Sequence, residues 1–82
     1  MSELEFKPGV YRHYKGNHYL ALGLAREDET EEMVVVYIRL YSRSGLPMST
    51  RRLSKWTETV SGPDGIQQPR FSFVGLQPPE SA

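Results

Sequence analysis

The residues best suited to chemistry stand close together near the start of the chain. Three ring side chains and two cations fill five consecutive positions: Tyr11, Arg12, His13, Tyr14 and Lys15. Aromatic faces attract cations and stack on planar ligands, so rings and cations together are typical of a contact surface. The segment runs into Gly16-Asn17, a turn signal that places it on a hairpin.

Rings and arginines recur in later segments with β character, and we expect them to line one groove beside the hairpin. Rings would supply stacking area, and arginines would supply planar charged hydrogen bonds. The partner would be another protein, a peptide or a small anionic ligand, since the aromatic grooves of small barrels bind extended peptides. The alternative is an amphipathic strand whose rings pack and whose cations are solvated. The predicted contact residues are Tyr11, Arg12, His13, Tyr14, Tyr19, Tyr37, Arg39, Tyr41 and Arg51.

The charge of the chain is balanced, with ten basic and ten acidic residues. A general polyanion binder would carry a strong positive excess, so the composition argues against one. Five of the ten acids fall within Glu27–Glu32, however, and most cations lie elsewhere. This uneven distribution leaves room for a small anion as an alternative ligand of the aromatic surface. Because rings and cations are interleaved at residues 11–15, single-stranded nucleic acid is an alternative ligand as well.

No complete catalytic constellation accompanies the aromatic surface. His13 is the one candidate for a general base near neutral pH, and no serine or threonine lies in a nucleophile-elbow context. A small metal-dependent hydrolase would need His13, His18 and a carboxylate such as Glu29, because a metal site takes three or four ligands of matched geometry. We therefore predict a non-enzymatic module without cofactor or metal and keep the hydrolase as an alternative.

The composition also restricts the cellular compartment in which we expect the protein. The chain has no cysteine, which excludes disulfides and zinc–thiolate sites. Its first residues lack the charged start and apolar run of a secretory signal, and no apolar stretch approaches the roughly twenty residues that cross a bilayer. We expect a bacterial cytoplasmic protein without membrane contact.

The Gly16-Asn17 dipeptide predicts a two-residue hairpin turn. That turn would set Tyr14 opposite Tyr19 on adjacent strands. The core face would then carry the leucines of the second strand together with two residues of the first, in the set Leu20, Leu22, Leu24, Tyr11 and His13. Gly23, inside the second strand, predicts a bend or bulge.

The segment Met33–Tyr41 is the longest strand signal in the chain. Strict alternation predicts that its core face carries the aliphatic residues Val34, Val36, Ile38 and Leu40. The other face would be half exposed, aromatic and cationic, with Val35, Tyr37, Arg39 and Tyr41.

The remaining segments complete an all-β pattern. Leu53–Trp56 predicts one helical or 3₁₀ turn, with Trp56 plugging the end of a barrel, and Arg70–Val74 predicts a last strand. Regular turn spacing without a long amphipathic helix favours a small SH3-like barrel of about five strands with one short helical (3₁₀) turn. The domain would span residues 8–75, between a flexible segment at 1–7 and a disordered tail at 76–82.

Four groups of motif residues extend from about Gly9 to Phe71. They are Gly9-x-Tyr11-Arg12-His13-Tyr14-Lys15-Gly16-Asn17-x-Tyr19, then Ala25-Arg26 with Glu29-Thr30, Val35-Val36-Tyr37 and Leu40-Tyr41, then Arg51 with Glu58-Thr59-Val60, and finally Pro69-Arg70-Phe71. Together they resemble a bacterial family, the domain of unknown function 1653. The resemblance implies a compact β-rich domain from a bacterium, and it implies no activity.

Overall fold

The computed structural model describes residues 6–77, so residues 1–5 and 78–82 of the expected flexible ends lie outside the described part. Within that part, seven strands and one helix follow in this order: β1 Gly9–His13, β2 His18–Arg26, β3 Met33–Arg39, β4 Met48–Arg52, α1 Leu53–Trp56, β5 Thr59–Ser61, β6 Gln67–Pro69 and β7 Phe71–Gly75. Over the same residues no helix has the length and apolar character that crossing a bilayer would require.

Five of the strands form one sheet in the order β4-β3-β2-β1-β7, and β5 pairs with β6 in a separate two-stranded sheet. All the pairings are antiparallel. The fold is therefore mostly β, as the sequence predicts. The five-stranded sheet has β4 and β7 as its two edges and is not closed, so the SH3-like barrel is not confirmed. The expected helical turn is confirmed as the four-residue helix α1.

The predicted hairpin register is wrong. Tyr11 lies opposite Tyr19, and Arg12 lies opposite His18. The turn is wider than two residues, because the Gly16 N–H donates to the His13 carbonyl at 2.7 Å and the His13 N–H donates to the Asn17 carbonyl at 2.8 Å. Gly16 has φ of 116°, a conformation open to glycine. The change displaces the pairing by an odd number of residues, which moves every side chain of one strand to the other face relative to its partner.

The core is aromatic rather than aliphatic. Its buried cluster consists of Tyr11, Ala21, Val35, Tyr37, Trp56 and Phe71, with Phe6, Tyr19, Leu24 and Leu53 packed against it. The predicted leucine face is wrong for Leu22, which is 45% exposed, and is confirmed for Tyr11, which is buried, and for Leu24, which packs against the cluster. On β3 the predicted core face is confirmed for Val34, which is buried, but the opposite face is buried as well, because Val35 is fully buried, and Leu40 just after the strand is exposed. Rings bury more area than aliphatic side chains, so the ring-bearing face faces α1.

A bulge in β2 corrects the position of one leucine. The register between β2 and β3 shifts between Ala21 and Gly23, as the glycine predicted. Beyond the shift, Leu24 lies opposite Val35 and packs against the aromatic core. The extra residue in β2 therefore transfers Leu24 from the outer face of the sheet to the inner one.

Helix α1 covers the aromatic face with Trp56. The indole stacks on Phe71 at a centroid distance of 3.7 Å with the planes 5° apart, and it meets Tyr11 edge-on at 5.2 Å. Trp56 is 2% exposed. The helix is only four residues long, so burial of this one ring, rather than helix propensity, holds it on the sheet.

Candidate functional site

The structure brings together five of the nine predicted contact residues at one end of the aromatic face. We call this set, with the Phe71 ring beneath it, the ring–arginine cluster: His13, Tyr14, Tyr19, Tyr41, Arg51 and Phe71. His13 lies opposite Phe71 across β1 and β7. The other members reach the cluster from the hairpin turn, from β2, from β4 and from the chain after β3.

Tyr19 lies at the centre of the ring–arginine cluster. Its ring makes edge contacts with Tyr41, Phe71 and His13 at centroid distances of 5.5, 5.7 and 6.3 Å. The guanidinium carbon of Arg51 lies 5.4 Å from the centre of the Phe71 ring. Tyr14 contacts His13 at 4.7 Å with a tilt of 35°. The result is a half-buried ring platform beside a cation.

Positive charge surrounds His13. Burial lowers the pKa of His13 first, and the charges of Arg51, Arg70, Lys15 and Arg12 lower it further. Its Nδ1 accepts the backbone N–H of Lys15 at 3.2 Å, so the neutral ring carries its proton on Nε2. The field that disfavours the imidazolium is the same field that attracts an anion.

The hydroxyls of Tyr19 and Tyr41 lie 2.9 Å apart. Burial, and next the hydrogen bond to Tyr41, raise the pKa of Tyr19 to about 12. The same hydrogen bond, as the largest cause, lowers the pKa of Tyr41. Either hydroxyl can be the donor in this bond.

Two predicted contact residues lie in the core instead. Tyr11 and Tyr37 are each 8% exposed. The Tyr11 hydroxyl donates to the Lys7 carbonyl at 2.7 Å, and burial raises the pKa of Tyr11. Both rings contact Trp56, at 5.2 and 5.1 Å. Their packing holds the sheet to α1. Tyr11 lies on the face predicted to be the core, whereas Tyr37 was predicted on the half-exposed face of the third strand and is buried instead.

Arg39 closes a loop rather than joining the cluster. Its guanidinium donates to the carbonyl oxygens of Leu46 at 2.6 Å, Arg43 at 2.6 Å and Gly45 at 2.8 Å. One side chain thus satisfies several carbonyl groups in the connection from β3 to β4.

The Arg39→Gln substitution is expected to loosen that connection while leaving the rest of the sheet intact. Glutamine is shorter and cannot present several N–H groups to three carbonyls at once. Hydrogen exchange should show faster exchange of amides at residues 40–48 and unchanged protection in β1 and β2. Unchanged exchange at residues 40–48 would contradict the role assigned to Arg39.

Arg12 lies outside the cluster as well. It stands opposite His18, and side chains alternate along β1, so Arg12 lies on the sheet face away from Tyr11 and His13. Its side chain is exposed. The same alternation places His13 and His18 on opposite faces of the sheet. Among residues 6–77 no three His, Cys, Asp or Glu side chains are grouped so as to hold a metal ion.

Sequence reasoning missed Phe71 and Arg70. Phe71 is the floor of the cluster, and Arg70 donates to Glu58 at 2.7 Å while its carbonyl accepts the Tyr14 N–H at 2.9 Å. Both residues follow Pro69 in a short strand signal. That signal does not reveal which strand β7 pairs with, so the neighbour of His13 could not be found from it.

The pH dependence of stability should report the environment of His13. Its folded pKa lies below the ordinary value of 6.5, so just below pH 6.5 the unfolded chain binds more protons than the folded one. This contribution to the free energy of unfolding is full above pH 6.5 and is lost as the pH falls toward the lowered pKa. Urea midpoints measured between pH 7.5 and 5 should fall in the wild type and fall less in His13→Gln.

Two controls distinguish the loss of stability that His13 causes from losses caused by other groups. His18→Gln should leave the loss between pH 7.5 and 5 unchanged. A further loss below pH 4.5 should persist in His13→Gln, because Arg70 and then Lys55 lower the pKa of Glu58, and its stabilising contribution is present above 4.5 and lost below. A His13→Gln profile that matches the wild type would contradict the proposed field.

Comparison with known proteins gives one family and one structure. The model of the family described as "Protein of unknown function (DUF1653)" matches residues 9–73. A crystal structure of a protein of that family from Bordetella bronchiseptica superposes with a TM-score of 0.88 and 68% sequence identity, over 93% of this chain and 96% of that one. No curated protein matches the chain.

Proposed function

This chain belongs to the family of proteins of unknown function DUF1653, and since that description names no activity we propose a function from the chemistry of the ring–arginine cluster. The protein is a non-enzymatic binding module, and the cluster binds a small anion that carries a planar group. We place it in the bacterial cytoplasm, with the Bordetella relative supporting the bacterial source.

The main observation is that Arg51, beside a ring platform, has no ion-pair partner among residues 6–77. The ion pairs found within residues 6–77 use Arg52, Lys55 and Arg70, and none of them supplies a carboxylate to Arg51. A free guanidinium fork binds carboxylate or phosphate oxygens in two parallel hydrogen bonds. The charges that lower the pKa of His13 add to the attraction.

The planar part of the ligand would stack on the exposed side of the cluster. His13 and Tyr14 are half exposed and their rings lie 4.7 Å apart, so together they offer an aromatic face of two rings. The Tyr41 hydroxyl adds a polar group beside them. Rings on one side and a guanidinium on the other match a ligand in which ring and anion are joined, as in a mononucleotide.

A titration of ¹⁵N-labelled protein with adenosine monophosphate tests the proposal, with neutral adenosine as the matched ligand. We expect saturable shifts at His13, Tyr14 and the Arg51 side chain, and affinity for the monophosphate about tenfold above that for adenosine. Equal affinity for the two, or no shifts in the cluster, would overturn it.

Single-stranded nucleic acid is the second candidate, because the hairpin tip adds Lys15, whose Nζ lies 5.8 Å from the centre of the Tyr14 ring. Stacking rings with flanking cations are the means by which single strands are held. Decathymidylate would then bind more tightly than adenosine monophosphate, with a steep loss of affinity as salt rises. Similar affinities and a shallow salt dependence would favour the mononucleotide-type ligand.

A further inference from the structure

A concave surface shares the Phe71 ring with the ring–arginine cluster. It is a cleft of about 410 Å³, within the size range of small-molecule sites. Its walls are mainly rings, with one cation: Phe6, Lys7, Tyr11, Trp56, Phe71 and Phe73. Tyr11 of the predicted contact residues and Phe71 of the ring–arginine cluster line this cleft, but the proposed function places no ligand in it.

We propose that the cleft binds a small amphiphilic carboxylate, with its ring or short alkyl chain between the aromatic walls and its carboxylate at the Lys7 ammonium. This site is independent of the ring–arginine cluster, although the Phe71 ring contributes to both.

Contacts with neighbouring groups hold the aromatic walls of the cleft in place. Tyr11 meets Trp56 and Phe73 edge-on at 5.2 and 5.3 Å, and its hydroxyl is bonded to the Lys7 carbonyl at 2.7 Å. Phe73 lies so close to Gly9 that a Cβ there would come within 2.9 Å of its ring. Because the walls are preformed, little side-chain freedom is lost when an apolar group enters.

Lys7 determines the charge of the ligand. Its Nζ lies 4.8 Å from the centre of the Phe73 ring, and it belongs to none of the ion pairs found among residues 6–77. A resident ammonium on the ring face repels cationic ligands, which aromatic cages otherwise favour. A carboxylate would gain a charge-assisted hydrogen bond from the same ammonium.

Fluorescence provides a direct measurement, since Trp56 is the one tryptophan of the chain and lines the cleft. The probes are 4-phenylbutyrate and its neutral counterpart 4-phenylbutanol. We expect a saturable change in Trp56 emission with both, and an affinity for the acid about tenfold above that for the alcohol. No saturable change with the acid, or equal affinities for the two probes, would overturn the proposal.

Three variants sharpen the test. Lys7→Gln should remove the preference for the acid and keep alcohol binding; a preference that survives this change would overturn the role of Lys7. Lys15→Gln, the matched loss of a lysine at the hairpin tip, should keep the preference. Arg51→Gln should leave 4-phenylbutyrate affinity unchanged, and a loss of acid binding there would assign the signal to the ring–arginine cluster and overturn the separate site.

Discussion

Replacing Trp56 by alanine is expected to lower the free energy of unfolding by about 3–5 kcal/mol. The ring is 2% exposed, stacks on Phe71 at 3.7 Å and contacts Tyr11 and Tyr37. Its loss leaves a cavity and detaches α1, whose four residues cannot form a stable helix alone. Urea unfolding followed by far-UV circular dichroism measures the effect without relying on tryptophan emission.

The matched control is Leu22→Ala on the outer side of β2. Leu22 is 45% exposed, and substitutions at such positions usually change stability by less than about 1 kcal/mol. If Leu22→Ala were as costly as Trp56→Ala, the assignment of the aromatic face as the core would be contradicted.

Arg51→Gln is expected to weaken adenosine monophosphate binding by about tenfold to a hundredfold, since a hydrogen bond between charged groups contributes roughly 1.5–3 kcal/mol. The guanidinium lies over the Phe71 ring at 5.4 Å and has no carboxylate partner among residues 6–77. Stability should change little, because none of the ion pairs within residues 6–77 involves Arg51. Isothermal calorimetry measures the affinity, and a urea midpoint checks the fold.

Arg12→Gln is the control with the same change of charge. Arg12 lies on the opposite sheet face and acts on the cluster only through its charge, as the last of four cations that lower the pKa of His13. Its loss should weaken binding much less than the loss of Arg51. If the two variants lost the same affinity, a general positive field would explain binding, and a specific site at Arg51 would be contradicted.

Local sequence signals predicted the elements well. The apolar run in β3, the Leu53–Trp56 helical turn and the bulge at Gly23 each depend on neighbouring residues, and the structure confirms each of them. The family resemblance is confirmed over residues 9–73. Such features are readable because φ and ψ preferences and glycine permissiveness act over a few residues.

The prediction of which sheet face is buried failed, and the reason lies in a few residues of the hairpin turn. Both faces of the main sheet are apolar, one aliphatic and one aromatic, so alternation in β2 and β3 could not say which face is buried. The turn at Tyr14–Gly16 decided the question. Shifting the hairpin register by an odd number of residues changes which face of β1 lies beside each face of β2. The periodicity within a single strand gives no sign of such a shift.

For the candidate site, the sequence by itself determined a chain of short antiparallel strands rich in rings and arginines, because hydrophobic alternation and turn residues act through near neighbours. Only the tertiary structure decided which of those side chains meet. Tyr11 and Tyr37 went into the core, Arg39 into a loop and Arg12 to the far face, while Phe71 arrived beside His13. Pairing between distant strands sets these neighbours, and that pairing minimises the free energy of the whole sheet rather than of any one segment.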